Sequence, residues 1–141
     1  EEPVTLTVYT ARVSYGGADR LDVTRKSADH DGIVFAPSWS ILGPALKARE
    51  VAEWLLKASL WEREAAERIE REAWEAYVPA YLAEMRESWR ANRHAWRALL
   101  SRESVTLVCY CADPARCHRT LLAGILAKLG STVAGERGSR G

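Results

Sequence analysis

The feature that most constrains the fold of this chain is an apolar run followed closely by a helical pattern. Val105 to Val108 is typical of a buried strand, and Leu121 to Leu129 repeats apolar residues at helical spacing. The segment between them, Cys109 to Arg119, carries all three cysteines of the chain and one of its three histidines. Because the end of a strand followed by a helix N-terminus often holds reactive groups in α/β proteins, we expect a functional site there.

The remaining segments indicate the fold class. Helical character begins at Trp39, with Ser38 as the N-cap, and continues to Leu99, with Pro79 expected to break or kink it. The order predicts an α/β fold with a small, mostly parallel sheet flanked by helices, and a long Trp-rich helical insertion before the last strand-helix unit. The predicted strands are Val4 to Tyr9, Leu21 to Thr24, Ile33 to Phe35, Val105 to Cys109 and Ser131 to Ala134.

Length and composition limit the class of protein. A chain of 141 residues with 48% hydrophobic and 28% charged residues predicts a single domain over residues 1–141, with a frayed tail at 136–141. Its net charge of +1 gives no overall attraction to nucleic acid, and no apolar run approaches the roughly 18 residues of a membrane span. Three cysteines crowded into nine residues do not suit a disulfide scaffold, and no secretory signal is recognised, so we expect a cytoplasmic protein.

The cysteine-rich segment predicts a specific local geometry. Residues i and i+2 of a strand share a face, so Cys109 and Cys111 are expected to point the same way. Asp113 is a typical N-cap and Pro114 a typical first helical residue, which places Cys117 about one turn into the final helix. A thiol near a helix N-terminus and beside a cation is shifted toward thiolate, so we expect Cys117 to be activated.

Three interpretations of this segment stay open. In the catalytic one, Cys117 is a nucleophile or proton donor, His118 an acid or base, and Arg119 a fork for phosphate or carboxylate. In the second, all three cysteines and His118 form a Cys₃His zinc site, but the spacing differs from the Cys-x₂₋₄-Cys pairs of common zinc modules. We therefore assign no metal ligand and keep zinc as an alternative. In the third, the cysteines are small buried hydrophobes. The Cys-x₅-Arg spacing of phosphatase loops does not occur from Cys109 or Cys111.

The segment from Val105 to Ala123 resembles the signature of the YeaO-like family of unknown function. In that family a hydrophobic strand ends in Cys-x-Glu or Cys-x-Cys, and Cys-His-Arg opens the following helix; this chain has Cys109-Tyr110-Cys111 and Cys117-His118-Arg119. Cys111 stands where many members carry a glutamate. Leu21 to Arg25 is similar to an early strand of the family. The resemblance implies an α/β domain with a site formed by Asp22, Arg25, Cys109, Cys111, Cys117, His118 and Arg119.

Further candidates for substrate binding lie outside the motif. Basic residues near the first strand ends are expected to complete an anion pocket, although ordinary surface charge explains them as well. Polar and aromatic residues at the ends of predicted elements can form walls for a planar ring such as a nucleobase. The substrate-binding candidates are Arg119, Arg12, Arg25, Tyr9, Thr10, Ser38 and Trp39. The catalytic candidates are Cys117, His118, Cys111 and Asp22, which is expected to orient the site.

Together these features lead to a functional hypothesis. The chain is expected to be a small cytoplasmic α/β enzyme with a Cys-His-Arg site, acting on a phosphate-bearing or nucleobase-type substrate. Its partner would be a small-molecule or nucleotide-like anion. We expect no membrane as a partner. Two alternatives remain: a non-catalytic module that binds a nucleotide or nucleic acid, and a zinc-stabilised structural domain. The reaction type, the oligomeric state and catalysis itself stay undecided at the level of sequence.

Overall fold

A computed structural model describes residues 5–111 and 113–138. It contains four strands and four α-helices, with short 3₁₀ turns at Ile33–Phe35, Leu60–Glu62 and Pro114–Arg116. The strands are β1 (Thr7–Arg12), β2 (Arg20–Asp22), β3 (Ser104–Cys109) and β4 (Thr132–Glu136). The helices are α1 (Trp39–Ala58), α2 (Arg63–Ala91), α3 (Arg93–Leu100) and α4 (His118–Lys128).

The four strands form one sheet in the order β2-β3-β1-β4, and every neighbouring pair is parallel. β3 is buried from Val105 to Cys109, as expected of a central parallel strand covered on both faces. Helix α4 packs against β1, β3 and β4 through a side that buries Leu122 and Leu126. The predicted α/β fold with a small parallel sheet, helices on it and a long helical insertion is confirmed.

Contacts within the chain divide it into two compact units. The first consists of the described residues up to Ala36 and from Met85 onward, and it contains the sheet, α3 and α4. The second spans Pro37–Glu84 and contains α1 and most of α2. The prediction of a single domain over residues 1–141 stays a prediction. Among the described residues, none of the helices combines the length and the apolar character needed to span a membrane.

The predicted strand at Ile33–Phe35 is wrong, because this segment forms a 3₁₀ turn. Phe35 is buried by the edge of Trp96, with ring centroids 4.8 Å apart. The carbonyl of Val34 accepts a hydrogen bond from the Ser88 hydroxyl (2.7 Å). An apolar triplet buried against helical residues has the same sequence pattern as one buried in a sheet, so periodicity could not separate the two.

Element boundaries differ from the sequence prediction at several places. β1 begins at Thr7 and extends to Arg12, and the predicted start at Val4 lies outside the described residues. β4 continues to Glu136, so the predicted frayed tail is wrong at its first residue. The end of that tail, residues 139–141, also lies outside the described part of the chain.

The helical unit corrects two expectations. Helix α1 begins at Trp39 as predicted, but the Ser38 side chain makes no capping hydrogen bond; its amide and hydroxyl instead donate to the Glu84 carboxylate. Helix α2 continues through Pro79, so the break that was one form of the prediction does not occur, and a kink at Pro79 stays a prediction. Glu75 and Pro79 are both exposed, and the carbonyl that loses its helical partner at a proline can therefore turn toward water.

Candidate functional site

The carboxyl ends of all four strands carry polar or reactive side chains. The last residues of β1 to β4 are Arg12, Asp22, Cys109 and Glu136, in that order. In a parallel sheet these ends meet at one edge, and α/β proteins bind ligands outside that edge. Arg12 is paired in register with Cys109. The candidate site is therefore placed by the topology of the sheet.

Cys117 lies at the N-cap of α4 and not one turn into the helix. Asp113 caps the preceding 3₁₀ turn, because its carboxylate accepts a hydrogen bond from the Ala115 amide (2.9 Å). Asp113 and Pro114 therefore begin this 3₁₀ turn and not helix α4. The first helical hydrogen bonds of α4 run to the Cys117 carbonyl, from Thr120 and Leu121.

Three thiols and one imidazole converge between the end of β3 and the start of α4. The Cys109 sulfur lies 3.8 Å from the Cys111 sulfur and 3.7 Å from Nδ1 of His118. Ligand atoms of Cys109, Cys117 and His118 all lie within 4.8 Å of one another, and the three residues are buried. Cys111 is half-buried, and none of these three cysteines, all of them within the described residues, forms a disulfide.

The orientation of His118 is set by the loop after β2. Its Nε2 lies 2.7 Å from the carbonyl oxygen of Val23. A carbonyl only accepts, so this contact assigns the ring proton to Nε2 and leaves the Nδ1 lone pair directed at the thiols. Burial, the largest influence, lowers the pKa of His118 below its ordinary value, so the ring is neutral near pH 7.

Arg119 is fully buried and bound on all sides within the cluster. Its guanidinium donates twice to the Glu136 carboxylate (3.2 and 2.7 Å), to the Cys111 carbonyl (2.8 Å) and to the Cys117 sulfur (3.3 Å). Thr10 donates to the same carboxylate (2.5 Å). Although burial opposes its charge, the hydrogen bond to Glu136 raises the pKa of Arg119. The guanidinium therefore stays charged and holds the thiol-bearing segments together.

Asp22 organises the loop that carries the Val23 carbonyl. Its carboxylate accepts hydrogen bonds from the Thr24 amide (2.9 Å), the Thr24 hydroxyl (2.7 Å) and the Ser27 hydroxyl (2.5 Å). Burial raises the pKa of Asp22, but these hydrogen bonds outweigh it and hold the pKa below the ordinary value. Tyr110, between the first two cysteines, donates to Ser27 (2.8 Å). Asp22 thus acts on His118 through the backbone of Val23.

The environment of the buried thiols favours their protonated form. Contact with Cys111, followed by burial, raises the pKa of Cys109 to about 11. Contacts with Cys109 and Cys111, together with burial, also raise the pKa of Cys117. This environment therefore does not produce the expected shift of Cys117 toward thiolate. Its role as a nucleophile stays a prediction.

The structure also places the other predicted substrate-binding residues. Arg12 is exposed at the carboxyl edge, whereas Arg25 donates to the carbonyl of Ala36 (3.3 Å). Tyr9 stacks under the Arg137 guanidinium, which lies 3.6 Å from its ring centroid. Trp39 is 56% exposed and belongs, with Ser38, to the helical unit. Five candidates come together at the cluster: Cys111, Cys117, His118, Arg119 and, through its bond to Glu136, Thr10.

Sequence reasoning missed two contributors to this site. The sequence predicts that Glu136 begins a frayed tail, although its carboxylate pairs with Arg119 (2.7 Å). The Val23 carbonyl is a backbone group, which no residue pattern identifies. Arg119 shares the buried side of α4 with Leu122 and Leu126, and an arginine at such a position indicates an acidic partner without naming it.

The arrangement offers two kinds of chemistry. The imidazole lone pair and the thiols form a donor set suited to a soft or borderline metal ion, and Cys109, Cys117 and His118 are its buried members. The same thiols can act as nucleophiles, and Cys111 is the one with more solvent contact.

Comparison with known proteins identifies the family. A family model described as "Active DUF488-N3 subclade" matches residues 34–130, a range that contains all three cysteines and His118. No match to this chain was found among curated proteins or among solved structures. The family match covers well over half of the chain and agrees with its resemblance to the YeaO-like family of unknown function, so the protein belongs to the DUF488 family.

Proposed function

We propose that this protein is a cysteine-dependent enzyme of the cytoplasm, in which Cys111 supplies the reacting thiol. The observation that carries the proposal is the difference in exposure within the cluster: Cys111 is half-buried, whereas Cys109 and Cys117 are buried. A thiol must contact solvent to meet a substrate. Cys111 also follows directly after the carboxyl end of β3, where ligands bind in α/β folds. Thiols without disulfides suit a reducing compartment.

The surrounding residues have distinct roles in this proposal. His118 accepts a proton through Nδ1, which faces the thiols. Asp22 is a positioning residue that acts through Val23. Arg119 is also a positioning residue, because its guanidinium is engaged by Glu136 and by the Cys111 carbonyl and leaves little capacity for a substrate anion. Cys117 remains the alternative nucleophile.

The proposed substrate is a small phosphate-bearing or nucleobase-type molecule. Arg12 is exposed at the carboxyl edge and paired in register with Cys109, so it is the candidate that binds the anion. The ring of Tyr110, 49% exposed, can stack on a planar group next to Cys111. The word "Active" in the description of the matching family model agrees with a catalytic role.

Turnover of a defined panel tests the proposal. The wild type and the C111S, C117S and H94A variants are incubated with nucleoside mono- and diphosphates and sugar phosphates, and the products are measured by mass spectrometry. His94 is exposed on α3 and serves as the matched control. We expect C111S to reduce turnover at least about 10³-fold, since removal of a nucleophile commonly costs more than that. H94A should match the wild type.

Other outcomes separate the alternatives. Full turnover by C111S together with loss in C117S would transfer the nucleophile role to Cys117. Saturable binding of a panel member without turnover, lost in Arg12→Ala, would support the non-catalytic binding module.

A further inference from the structure

The thiol and imidazole groups form a compact cage that a nucleophile alone does not require. The ligand atoms of Cys109, Cys117 and His118 lie within 4.8 Å of one another, and the residues are buried. Cys111 extends the group, since its sulfur is 3.8 Å from that of Cys109. These three residues and Cys111 together offer four donor atoms of the types that zinc prefers.

Two distances within the cluster match edges of a zinc tetrahedron. Zinc binds sulfur at about 2.3 Å and imidazole nitrogen at about 2.0–2.1 Å, so tetrahedral geometry requires sulfurs about 3.8 Å apart and sulfur about 3.6 Å from nitrogen. The Cys109–Cys111 sulfur distance is 3.8 Å, and Cys109 sulfur to His118 Nδ1 is 3.7 Å. Two of the six edges thus have the length that a central zinc ion requires, and the ligand atom of Cys117 lies within 4.8 Å of those of Cys109 and His118.

The groups around the cage suit a bound cation. The Nε2–H of His118 donates to the Val23 carbonyl, which leaves Nδ1 as the ligand atom and fixes the ring. A metal-binding histidine usually donates a hydrogen bond from the ring nitrogen that does not bind the metal, and this bond orients the ring. Three thiolates around one Zn²⁺ leave a net charge of about −1. The Arg119 guanidinium, 3.3 Å from the Cys117 sulfur, lies where it offsets that charge.

We propose that Cys109, Cys111, Cys117 and His118 bind one zinc ion between the end of β3 and the start of α4. The inference goes beyond the proposed enzyme and does not rest on it, although the two share Cys111 and His118, whose Nδ1 serves as a base only when it binds no metal. The end of β3 and the start of α4 each supply two ligands, and the single residue between Cys109 and Cys111 differs from the Cys-x₂₋₄-Cys pairs of common zinc modules. Cys111, the half-buried ligand, is the one that an incoming molecule reaches first.

Metal content and cobalt spectroscopy test the site without any substrate. Protein purified without chelators is analysed for bound metals, and metal-depleted protein is titrated with Co²⁺. We expect one zinc per chain, and with cobalt the thiolate charge-transfer band and the visible bands of a tetrahedral centre. Neither metal bound to the wild type would overturn the proposal, whatever the variants do.

Variants assign the ligands. C117S should weaken zinc binding at least about 100-fold, because even loss of an outer partner of a ligand costs about 10- to 100-fold. C111S also removes a ligand, so it should weaken zinc binding as well and lower the charge-transfer intensity. H94A is the control and should bind like the wild type. Unchanged cobalt spectra in both C111S and C117S would refute this ligand set, and circular dichroism identifies any variant that fails to fold.

The two proposals can fail separately. Zinc bound by a protein whose turnover survives C111S removes the proposed role of Cys111 as the reacting thiol and keeps the metal site. Turnover that depends on Cys111 in a protein that binds neither zinc nor cobalt keeps the proposed enzyme and removes the metal site.

Discussion

Single side chains in this protein act through hydrogen bonds to the backbone and to one another. Arg119 has no exposed surface, and it joins β4, through Glu136, to the carbonyl of Cys111. A buried charge is tolerated only when its donors are satisfied, so the whole arrangement depends on the carboxylate. Among described residues, no buried side-chain nitrogen or oxygen lacks a hydrogen-bond partner.

The partner of Arg119 provides the first stability prediction. Glu136→Gln should lower the free energy of unfolding by about 2 kcal/mol, because two charge-assisted hydrogen bonds to a buried cation are weakened. Glu87→Gln is the matched control: Glu87 pairs with Arg90 at 3.7 Å on an exposed surface, and its loss should cost less than about 0.5 kcal/mol. Urea unfolding measures both, and equal effects would contradict the buried role of Arg119.

The Asp22 carboxylate predicts a dependence on pH. Its pKa is lower in the folded chain than in the unfolded chain, so its contribution is complete above the unfolded pKa of roughly 4 and is lost as the pH falls through the folded pKa. Asp22→Asn should therefore cost about 1–3 kcal/mol at pH 7 and clearly less near pH 3. Urea titrations at both pH values provide the measurement. An undiminished difference at low pH would rule out this account.

At the scale of elements, close contacts between turns and strand ends position the site. The turn that begins at Ile33 approaches β2 so closely that a Cβ on Gly32 would lie 1.8 Å from the Asp22 carbonyl oxygen. The contact involves backbone, so it cannot be relieved by rotating a side chain. Val23, the residue after Asp22, carries the carbonyl that accepts the hydrogen bond from Nε2 of His118.

Gly32→Ala should therefore displace the loop after β2. We expect a loss of at least about 2 kcal/mol in the free energy of unfolding, which is the size of effect produced by overpacking. Gly16→Ala is the control, because nothing lies within 4 Å of a Cβ at that position. Thermal unfolding of the two variants tests the prediction, and a Gly32 variant as stable as the Gly16 variant would refute it.

Pro79 is expected to destabilise the long helix α2. Pro79 lies inside it and is exposed, so replacement by alanine restores one backbone hydrogen bond and removes a steric conflict. Pro79→Ala should raise the free energy of unfolding by about 1–3 kcal/mol. Ala76→Gly, at another exposed position of the helix, should lower it by about 1 kcal/mol. Denaturant unfolding gives both signs, and a destabilised Pro79 variant would contradict the prediction.

At the scale of the whole molecule, the question is whether the two compact units unfold together. The three cysteines lie in the unit with the sheet, whereas α1 and most of α2 belong to the other. Cysteine alkylation in urea therefore reports on the first unit, and far-ultraviolet circular dichroism is dominated by the helices. A single domain predicts coincident midpoints by the two methods. Separated midpoints would show that the units are independent folding domains.

Several features of this protein follow from sequence alone. The apolar run of β3, the amphipathic pattern of α4 and the cap formed by Asp113 are local, and local patterns predict them because each depends on neighbours along the chain. The concentration of thiols in one strand-to-helix connection located the candidate site for the same reason. The parallel order of the sheet agreed with these patterns but did not follow from any one of them.

Only the tertiary structure decided which groups meet. Glu136 and Arg119 are 17 positions apart, and Val23 and His118 are 95 apart, yet each pair forms a hydrogen bond at 2.7 Å. In the Ile33–Phe35 turn, Phe35 packs against Trp96, a residue far along the chain. Sequence patterns determine which face of an element is apolar. The environment of each thiol, and thus its chemistry, depends on contacts across elements that no local pattern encodes.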